Sequence, residues 1–130
     1  MRQAIQTPKA PAAIGSYSQA IKVEKTVYLS GQLPLDPETM VLVEGDIAVQ
    51  VARVFENLKM VAVAAGGNLD AIVKLTVYLV DLSNLAMVNE VMAKYFTMPY
   101  PARTSIEVAA LPKNAVVEVE AIIVLDSQET

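Results

Sequence analysis

The side chains best suited to chemistry lie in the last third of the chain, where charged residues interrupt two apolar, strand-like runs. Arg103 lies in the first run and Glu118 and Glu120 in the second, with a turn around Pro112 and Asn114 between them. A charge in a buried strand costs free energy unless it is paired or faces a site. The planar guanidinium of Arg103 suits a carboxylate or phosphate better than any other side chain does. The pattern therefore predicts an anion anchor near acidic groups. The alternatives are a structural ion pair between Arg103 and either glutamate, or an exposed residue at a sheet edge.

Glu118 and Glu120 are two residues apart, so in a strand they share one face. Alternation places both carboxylates on the face opposite Val117, Val119 and Ala121. Burial beside another carboxylate raises the pKa of a glutamate, which suits proton transfer near neutral pH. A solvated or salt-bridged face is the alternative for each glutamate, and a structural role is expected for Glu120.

Ser105 follows Arg103 by two residues and is expected on the same face of its strand. A serine nucleophile needs a base, and the sequence contains no histidine to serve as one. Serine-hydrolase chemistry is therefore not expected. Glu107, on the same strand, is interpreted as structural.

The composition excludes several classes of function. Hydrophobic residues make up 54% of the 130-residue chain, yet no apolar run reaches the roughly 18 residues of a membrane span. The surplus of apolar residues predicts an oligomer interface. A net charge of −4 without a basic run argues against electrostatic binding of nucleic acid. With neither histidine nor cysteine, no disulfide, metal or cofactor is expected, and an N-terminus without a signal-peptide core makes cytoplasm the expected compartment.

The sheet that must position these residues is predicted from periodicity and turn signals. A single domain is expected over residues 1–130. Asp46 is the expected N-cap of the first helix, and Asn57 falls on its outer face. The pattern predicts short strands at 17–23, 26–30 and 40–43, and the first helix ends at Gly66-Gly67. A strand at 71–80 and a second helix capped by Asp81 or Ser83 follow. Two final strands carry Arg103 and Glu118.

Two helices can cover only one face of such a sheet. The strands at 71–80 and 115–125 are nearly continuously apolar, which predicts burial on both faces. The second face therefore needs a partner, most simply the same face of another copy of the chain.

Several stretches together resemble the signature of the RidA family, also called YjgF, of reactive-intermediate deaminases. The resemblance is carried by Pro101-Ala-Arg-Thr-Ser-Ile-Glu-Val-Ala-Ala-Leu-Pro with Glu118-Val-Glu-Ala behind it, and by Ala10-Pro-Ala-Ala-Ile-Gly-Ser-Tyr-Ser-Gln-Ala and Leu29-Ser-Gly-Gln-Leu-Pro. It covers nearly the whole chain. It implies an α+β domain of chorismate-mutase-like fold, related to the ferredoxin-like fold, with a mixed sheet of about six strands and two helices on one face. It also implies a homotrimer that buries the other face and has three sites at subunit interfaces.

The activity implied by the resemblance is hydrolysis of 2-imino acids, such as 2-iminobutanoate and 2-iminopropanoate, to 2-oxo acids and ammonia. Arg103 would clamp the substrate carboxylate, and Glu118 would position or activate water. The other implied site residues are Tyr17 as a cover on the substrate, Ser30, Gly31 and the backbone at Ser105 as substrate contacts, Asn89 as a support and Tyr100 as an apolar wall.

The chain departs from the family pattern in three places. Gly15-Ser16 stands where members often have Gly-Pro, Ser105 stands where many have cysteine, and the loop at 97–100 looks shorter than usual. Two other classes of function compete with the deaminase. One is a non-catalytic trimer that binds a small carboxylate, and the other is a ribonuclease or translation inhibitor, which the acidic balance and the lack of histidine disfavour.

Overall fold

The computed structural model describes residues 1–126, which form a sheet of six strands and two α-helices. The elements in chain order are β1 (Gln3–Ile5), β2 (Ala20–Val23), β3 (Thr26–Gln32), α1 (Ile47–Ala64), β4 (Ile72–Leu79), α2 (Leu85–Tyr95), β5 (Ala102–Glu107) and β6 (Val117–Val124). Short 3-10 turns at Leu69–Ala71, Leu82–Asn84 and Pro112–Asn114 connect them.

The strands lie in the order β1-β2-β3-β6-β4-β5, with β4 and β5 parallel and the other pairs antiparallel. Both helices contribute to a single core on one side of this mixed sheet. The predicted α+β class is therefore confirmed. Because the chain places β6 between β3 and β4, Glu118 lies at the centre of the sheet, whereas Arg103 lies on the edge strand β5.

Helix α1 begins and ends where its sequence signals indicate. Oδ1 of Asp46 accepts a hydrogen bond from the Val49 N–H at 3.1 Å, as an N-cap does. At the other end Gly66 has a φ of +100°, and the Gly67 N–H donates to the carbonyl of Ala62 at 2.9 Å. This is the Schellman arrangement, which needs a residue that tolerates the left-handed region. The helix therefore ends at Ala64, and a short connection leads to β4 at Ile72.

Asn57 was expected on the outer face of α1, and this prediction is wrong. Its side chain is fully buried, and its amide donates to the carbonyls of Leu33 and Leu35 at 3.1 and 3.0 Å. These carbonyls belong to the segment that follows β3, which turns back over the helix. A buried carbonyl needs a donor, and the amide of Asn57 supplies it. The hydrogen bonds fix the segment that leaves the Ser30-Gly31 end of β3.

The face of the sheet that is turned away from the helices is called the open face below. Burial of the second face of β4 and β6 by a partner subunit stays a prediction; in the single chain their residues alternate between buried and partly or fully exposed. Apolar side chains on the open face stay accessible, among them Tyr28, Ile106 and Val124. An accessible apolar surface on a sheet face is typical of an interface.

The strand predictions also need correction at the N-terminal half of the chain. β2 begins at Ala20 rather than at residue 17, because residues 7–19 form a separate segment tied down by hydrogen bonds. The predicted strand at 40–43 is reduced to an isolated bridge between Leu35 and Leu42. The sixth strand is instead β1, which pairs with β2.

Candidate functional site

Arg103 projects from the edge strand β5 toward helix α2. In the register it is opposite Leu75 of β4, a fully buried core residue, so both side chains lie on the helix side of the sheet. Nη1 of Arg103 donates to Oδ1 of Asn89 at 2.6 Å and lies 3.4 Å from Sδ of Met92. Because both contacts use one nitrogen, the other N–H groups of the guanidinium can bind an anion.

A cavity of about 490 Å³ opens beside this guanidinium. Its walls are mainly apolar, so an anion entering it would lose water and gain from the fixed cation. Tyr100 is one of the walls, as expected, and Asn89 supports the arginine. The lining consists of Asn89, Met92, Ala93, Tyr100, Pro101 and Arg103.

Glu118 lies on the open face, over a glycine. A Cβ atom added to Gly31 would overlap Oε2 of Glu118 and lie 2.8 Å from its Cδ. Glycine therefore leaves room for this carboxylate at this point of β3, and a larger residue would push it aside. The absence of a side chain at Gly31 thus accommodates the carboxylate of Glu118.

A β-bulge brings Ser30 and Gly31 to the same face as Glu118. Leu29 pairs with Ala121 and Gln32 with Val119, so the two residues between them on β3 oppose a single residue of β6. The bulge returns Gln32 to the buried side, where it is 5% exposed. Bulges next to active sites commonly redirect side chains in this way.

The N-terminal segment covers this part of the open face. Oγ of Ser30 donates to the carbonyl of Ser18 at 2.6 Å, which fastens the segment to β3 next to Tyr17. The buried amide of Gln19 donates to the carbonyls of Thr7 and Pro11. The N-terminal segment and the end of β3 border a cavity of about 670 Å³. The residues predicted for the site that line it are Tyr17, Ser30, Gly31 and Glu118, joined by Glu120 and Lys113.

The electrostatic environment of Glu118 favours its protonated form. Burial raises the pKa of the Glu118 carboxyl above its ordinary value, and the charge of Glu120 raises it further. Glu120 in turn accepts a hydrogen bond from the hydroxyl of Tyr78 at 2.9 Å. A carboxyl group with a raised pKa is suited to accept and return a proton near neutral pH.

The structure thus separates the predicted site residues into two half-sites. Arg103 and Asn89 lie on the helix side at one edge of the sheet, whereas Glu118, Gly31 and Ser30 lie on the open face near its centre. β4 lies between β5 and β6, so the strands that carry the two groups are about 10 Å apart across the sheet, and the side chains lie on opposite faces. The alternative of an ion pair within the chain is not realised, because Arg103 bonds to Asn89.

Ser105 belongs to the half-site of Arg103. It pairs with the buried Val77 of β4, and its hydroxyl is buried without a hydrogen-bond partner among residues 1–126. Without an adjoining base the hydroxyl is not activated as a nucleophile. Within the same residues, no group of three acidic, histidine or cysteine side chains could hold a metal ion. Nor does this part of the chain contain a helix long and apolar enough to cross a membrane.

The family model described as endoribonuclease L-PSP matches residues 7–125. The chain belongs to this family. RidA from the Antarctic bacterium Psychrobacter is 56% identical, with a TM-score of 0.91 over 95% of this chain and 99% of that one. Protein DfrA of Myxococcus xanthus is 50% identical over 95% of both chains. The 2-iminobutanoate/2-iminopropanoate deaminase of Bos taurus is 46% identical over 95% of this chain and 90% of its own length. The RidA resemblance seen in the motifs is confirmed.

Membership of the endoribonuclease L-PSP family does not by itself test the residue roles, which stay predictions. Two neighbours of the predicted residues were not anticipated. Met92 of the core contacts the guanidinium of Arg103, and the hydroxyl of Tyr78 bonds to the carboxylate of Glu120. Strand alternation would have placed Tyr78 on one face of β4, but only the pairing of β4 with β6 shows that this is the face of Glu120.

Replacing Gly31 with alanine tests the close approach of Glu118. The added methyl group is expected to displace the Glu118 carboxylate, which is the far end of a flexible side chain, and to lower the free energy of unfolding by only about 1 kcal/mol. In a chain that already carries Glu118→Ala, the same change should cost little, because the overlapping atoms are gone. Urea unfolding of the four proteins of this double-mutant cycle measures the coupling. Equal costs of Gly31→Ala in both backgrounds would contradict the packing described.

Proposed function

We propose that the protein hydrolyses reactive 2-imino acids, such as 2-iminobutanoate and 2-iminopropanoate, to 2-oxo acids and ammonia. The observation that supports this proposal is the pair of half-sites. Arg103 can bind a carboxylate at one edge of the sheet, and Glu118 can accept a proton on the opposite face. Relatives that bear the deaminase name at 46% identity support the same chemistry. Removal of such electrophilic imines would protect other enzymes from damage.

The two half-sites come together between subunits of a homotrimer. Arg103 lies at the exposed edge of one subunit, where it can enter the cleft on the open face of the next. Repeated head to tail around a threefold axis, this contact closes a ring with three equivalent sites. The accessible apolar side chains of the open face, including Tyr28 and Ile106, support burial in such an assembly. Light scattering of the purified protein tests the trimer, and a monomeric mass would contradict it.

In the assembled site, Arg103 binds the substrate carboxylate with two parallel hydrogen bonds. Backbone groups at Gly31 and Ser105 orient the imine, and Tyr17 closes over it. A water molecule held by Glu118 attacks C2, forming the C–O bond while the electron pair of the C=N bond moves to nitrogen. Glu118 accepts the proton from the water and passes it to that nitrogen. Glu118 then takes the proton of the carbinolamine hydroxyl and gives it to the amino nitrogen, so that the C–N bond breaks, ammonia leaves and the C=O bond of the 2-oxo acid forms.

This reaction needs little beyond orientation and one proton carrier. The imine carbon is already electrophilic, and holding the reactants in place supplies a large part of the rate. A carboxyl group that carries the proton contributes about 10²–10⁴-fold. No cofactor has a part in these steps.

The experiment that tests the function generates 2-iminobutanoate from threonine with a dehydratase and traps it with semicarbazide. The protein is expected to suppress semicarbazone formation catalytically, at substoichiometric amounts, while 2-oxobutanoate and ammonia still accumulate. A folded trimer that leaves the trapping rate unchanged would refute the deaminase. Calorimetric binding of 2-oxobutanoate by that inactive trimer would then favour the non-catalytic carboxylate-binding module.

A further inference from the structure

Tyr78 links the two carboxylates of the open face. In the register it is directly opposite Glu118, across the antiparallel pair β4–β6. Its hydroxyl reaches one step diagonally and donates to Oε2 of Glu120 at 2.9 Å. Diagonal neighbours on a sheet face lie about 7–8 Å apart, within reach of an aromatic side chain. Tyr78 is therefore paired through its backbone with one glutamate and bonded through its hydroxyl to the other.

This hydrogen bond fixes the position of the Glu120 side chain. A hydrogen bond to one carboxylate oxygen restricts the side chain to one orientation, so the phenol holds the Glu120 carboxylate on the strand face that it shares with Glu118. Burial, the hydrogen bond to Glu120 and the charge of Glu120 raise the pKa of Tyr78, so the phenol keeps the proton that it donates. Glu118 has burial and this neighbouring charge acting on it together, and both raise its pKa.

We infer that Tyr78 and Glu120 are positioning residues for Glu118: the phenol fixes the Glu120 carboxylate beside Glu118 on the open face, and the charge held there keeps Glu118 a strong enough proton acceptor for the reaction. The catalytic consequence rests on the proposed deaminase function. The coupling between the side chains does not, because it follows from the contacts of β4 and β6.

Other charged and titratable groups face Glu118 from the elements around it. Tyr17 of the N-terminal segment and Lys113 of the turn before β6 line the same cavity. Lys74 of β4 also lies on the open face, where its ammonium binds a threonine hydroxyl of β5. In the proposed trimer Arg103 of the partner subunit faces Glu118 across the cleft. Lys113 is exposed and is screened by solvent, so Glu120 is the closest fixed charge on the same strand face.

The test measures the protonation of Glu118 directly, without substrate. Protein labelled with ¹³C at the glutamate carboxyl is titrated by NMR, and the signal of Glu118 is identified by its loss in Glu118→Gln. In Tyr78→Phe the pKa of Glu118 is expected to move down, and in Glu120→Gln further down. Tyr28→Phe, the same change at an exposed tyrosine on the same face of the sheet, is the matched control and should leave it unmoved. Coincident titrations of Tyr78→Phe and wild type would overturn the inference.

The kinetic consequence is measured separately on the same variants. The acid limb of the pH profile of kcat/KM is expected to move to lower pH in Tyr78→Phe, in step with the NMR titration, and to stay in place in Tyr28→Phe. A limb that stays in place while the pKa of Glu118 moves would overturn the positioning role. If wild type turns over no imine, the proposed function fails, and the NMR titration alone decides the coupling. Glu120→Gln gives an independent reading if Tyr78→Phe does not assemble.

Discussion

Arg103→Ala is expected to lower kcat/KM for 2-iminobutanoate by about 10²–10⁴-fold. The change removes a clamp of two charge-assisted hydrogen bonds, each worth roughly 1.5–3 kcal/mol. KM should rise, because the carboxylate is bound in the ground state as well as in the transition state. The semicarbazide competition assay, run over a range of threonine dehydratase flux, measures both constants. The fold should survive, because the Arg103 side chain is exposed at a sheet edge.

Two further variants separate the clamp from a general effect of charge. Arg103→Lys keeps the positive charge but loses the planar fork, so it should recover only a small part of the activity. Lys94→Ala removes an exposed cation from the last turn of α2, close to the same edge, and should stay near wild type. Near-normal turnover by a folded Arg103→Ala trimer would refute the role of Arg103.

Glu118→Gln is expected to lower kcat by about 10²–10⁴-fold, the usual contribution of a positioned proton carrier. The amide keeps the size of the side chain and its place over Gly31, so substrate binding should change little. Wild-type kcat/KM should fall as the pH falls through the raised pKa of Glu118, because the reaction needs the ionised carboxylate. The midpoint of this acid limb is expected at a higher pH than the ordinary pKa of a glutamate, because burial and the charge of Glu120 raise the pKa of Glu118.

The limb should be absent from the residual activity of Glu118→Gln. Glu107→Gln is the matched control, because it makes the same substitution on the edge strand β5. There the carboxylate accepts a hydrogen bond from the Leu82 N–H at 2.9 Å, a structural role that an amide oxygen can retain. A Glu118→Gln enzyme that keeps both wild-type kcat and the acid limb would show that another group carries the proton.

Local features of the fold could be predicted because their causes are local. Asp46 and Gly66-Gly67 bound a helix through groups within a few residues of its ends. Strand alternation alone placed Glu118 and Glu120 together on the face opposite the core. The Glu107 carboxylate has the structural role expected of it. The sequence motifs indicated the family, and the match to its family model and relatives confirms it.

The features that could not be predicted depend on contacts between distant parts of the chain. Asn57 looks like a surface residue until the segment after β3 folds back and presents carbonyls to it. The bulge at Ser30-Gly31 depends on the pairing of β3 with β6. Above all, the sequence places Arg103 and Glu118 only fifteen residues apart, whereas the strand order puts β4 between their strands. Arg103 and Glu118 are therefore close in sequence but do not form one site within a single chain.

In the proposed trimer, each site takes Arg103 from one subunit and Glu118 from the next. The most direct measurement co-expresses Arg103→Ala and Glu118→Gln chains with different affinity tags, isolates trimers that contain both, and measures their imine turnover. Every mixed ring of three contains one intact site, so about one third of wild-type activity per trimer is predicted, although each variant alone is nearly inactive. Mixed trimers as inactive as the two parent variants would contradict a site shared between subunits.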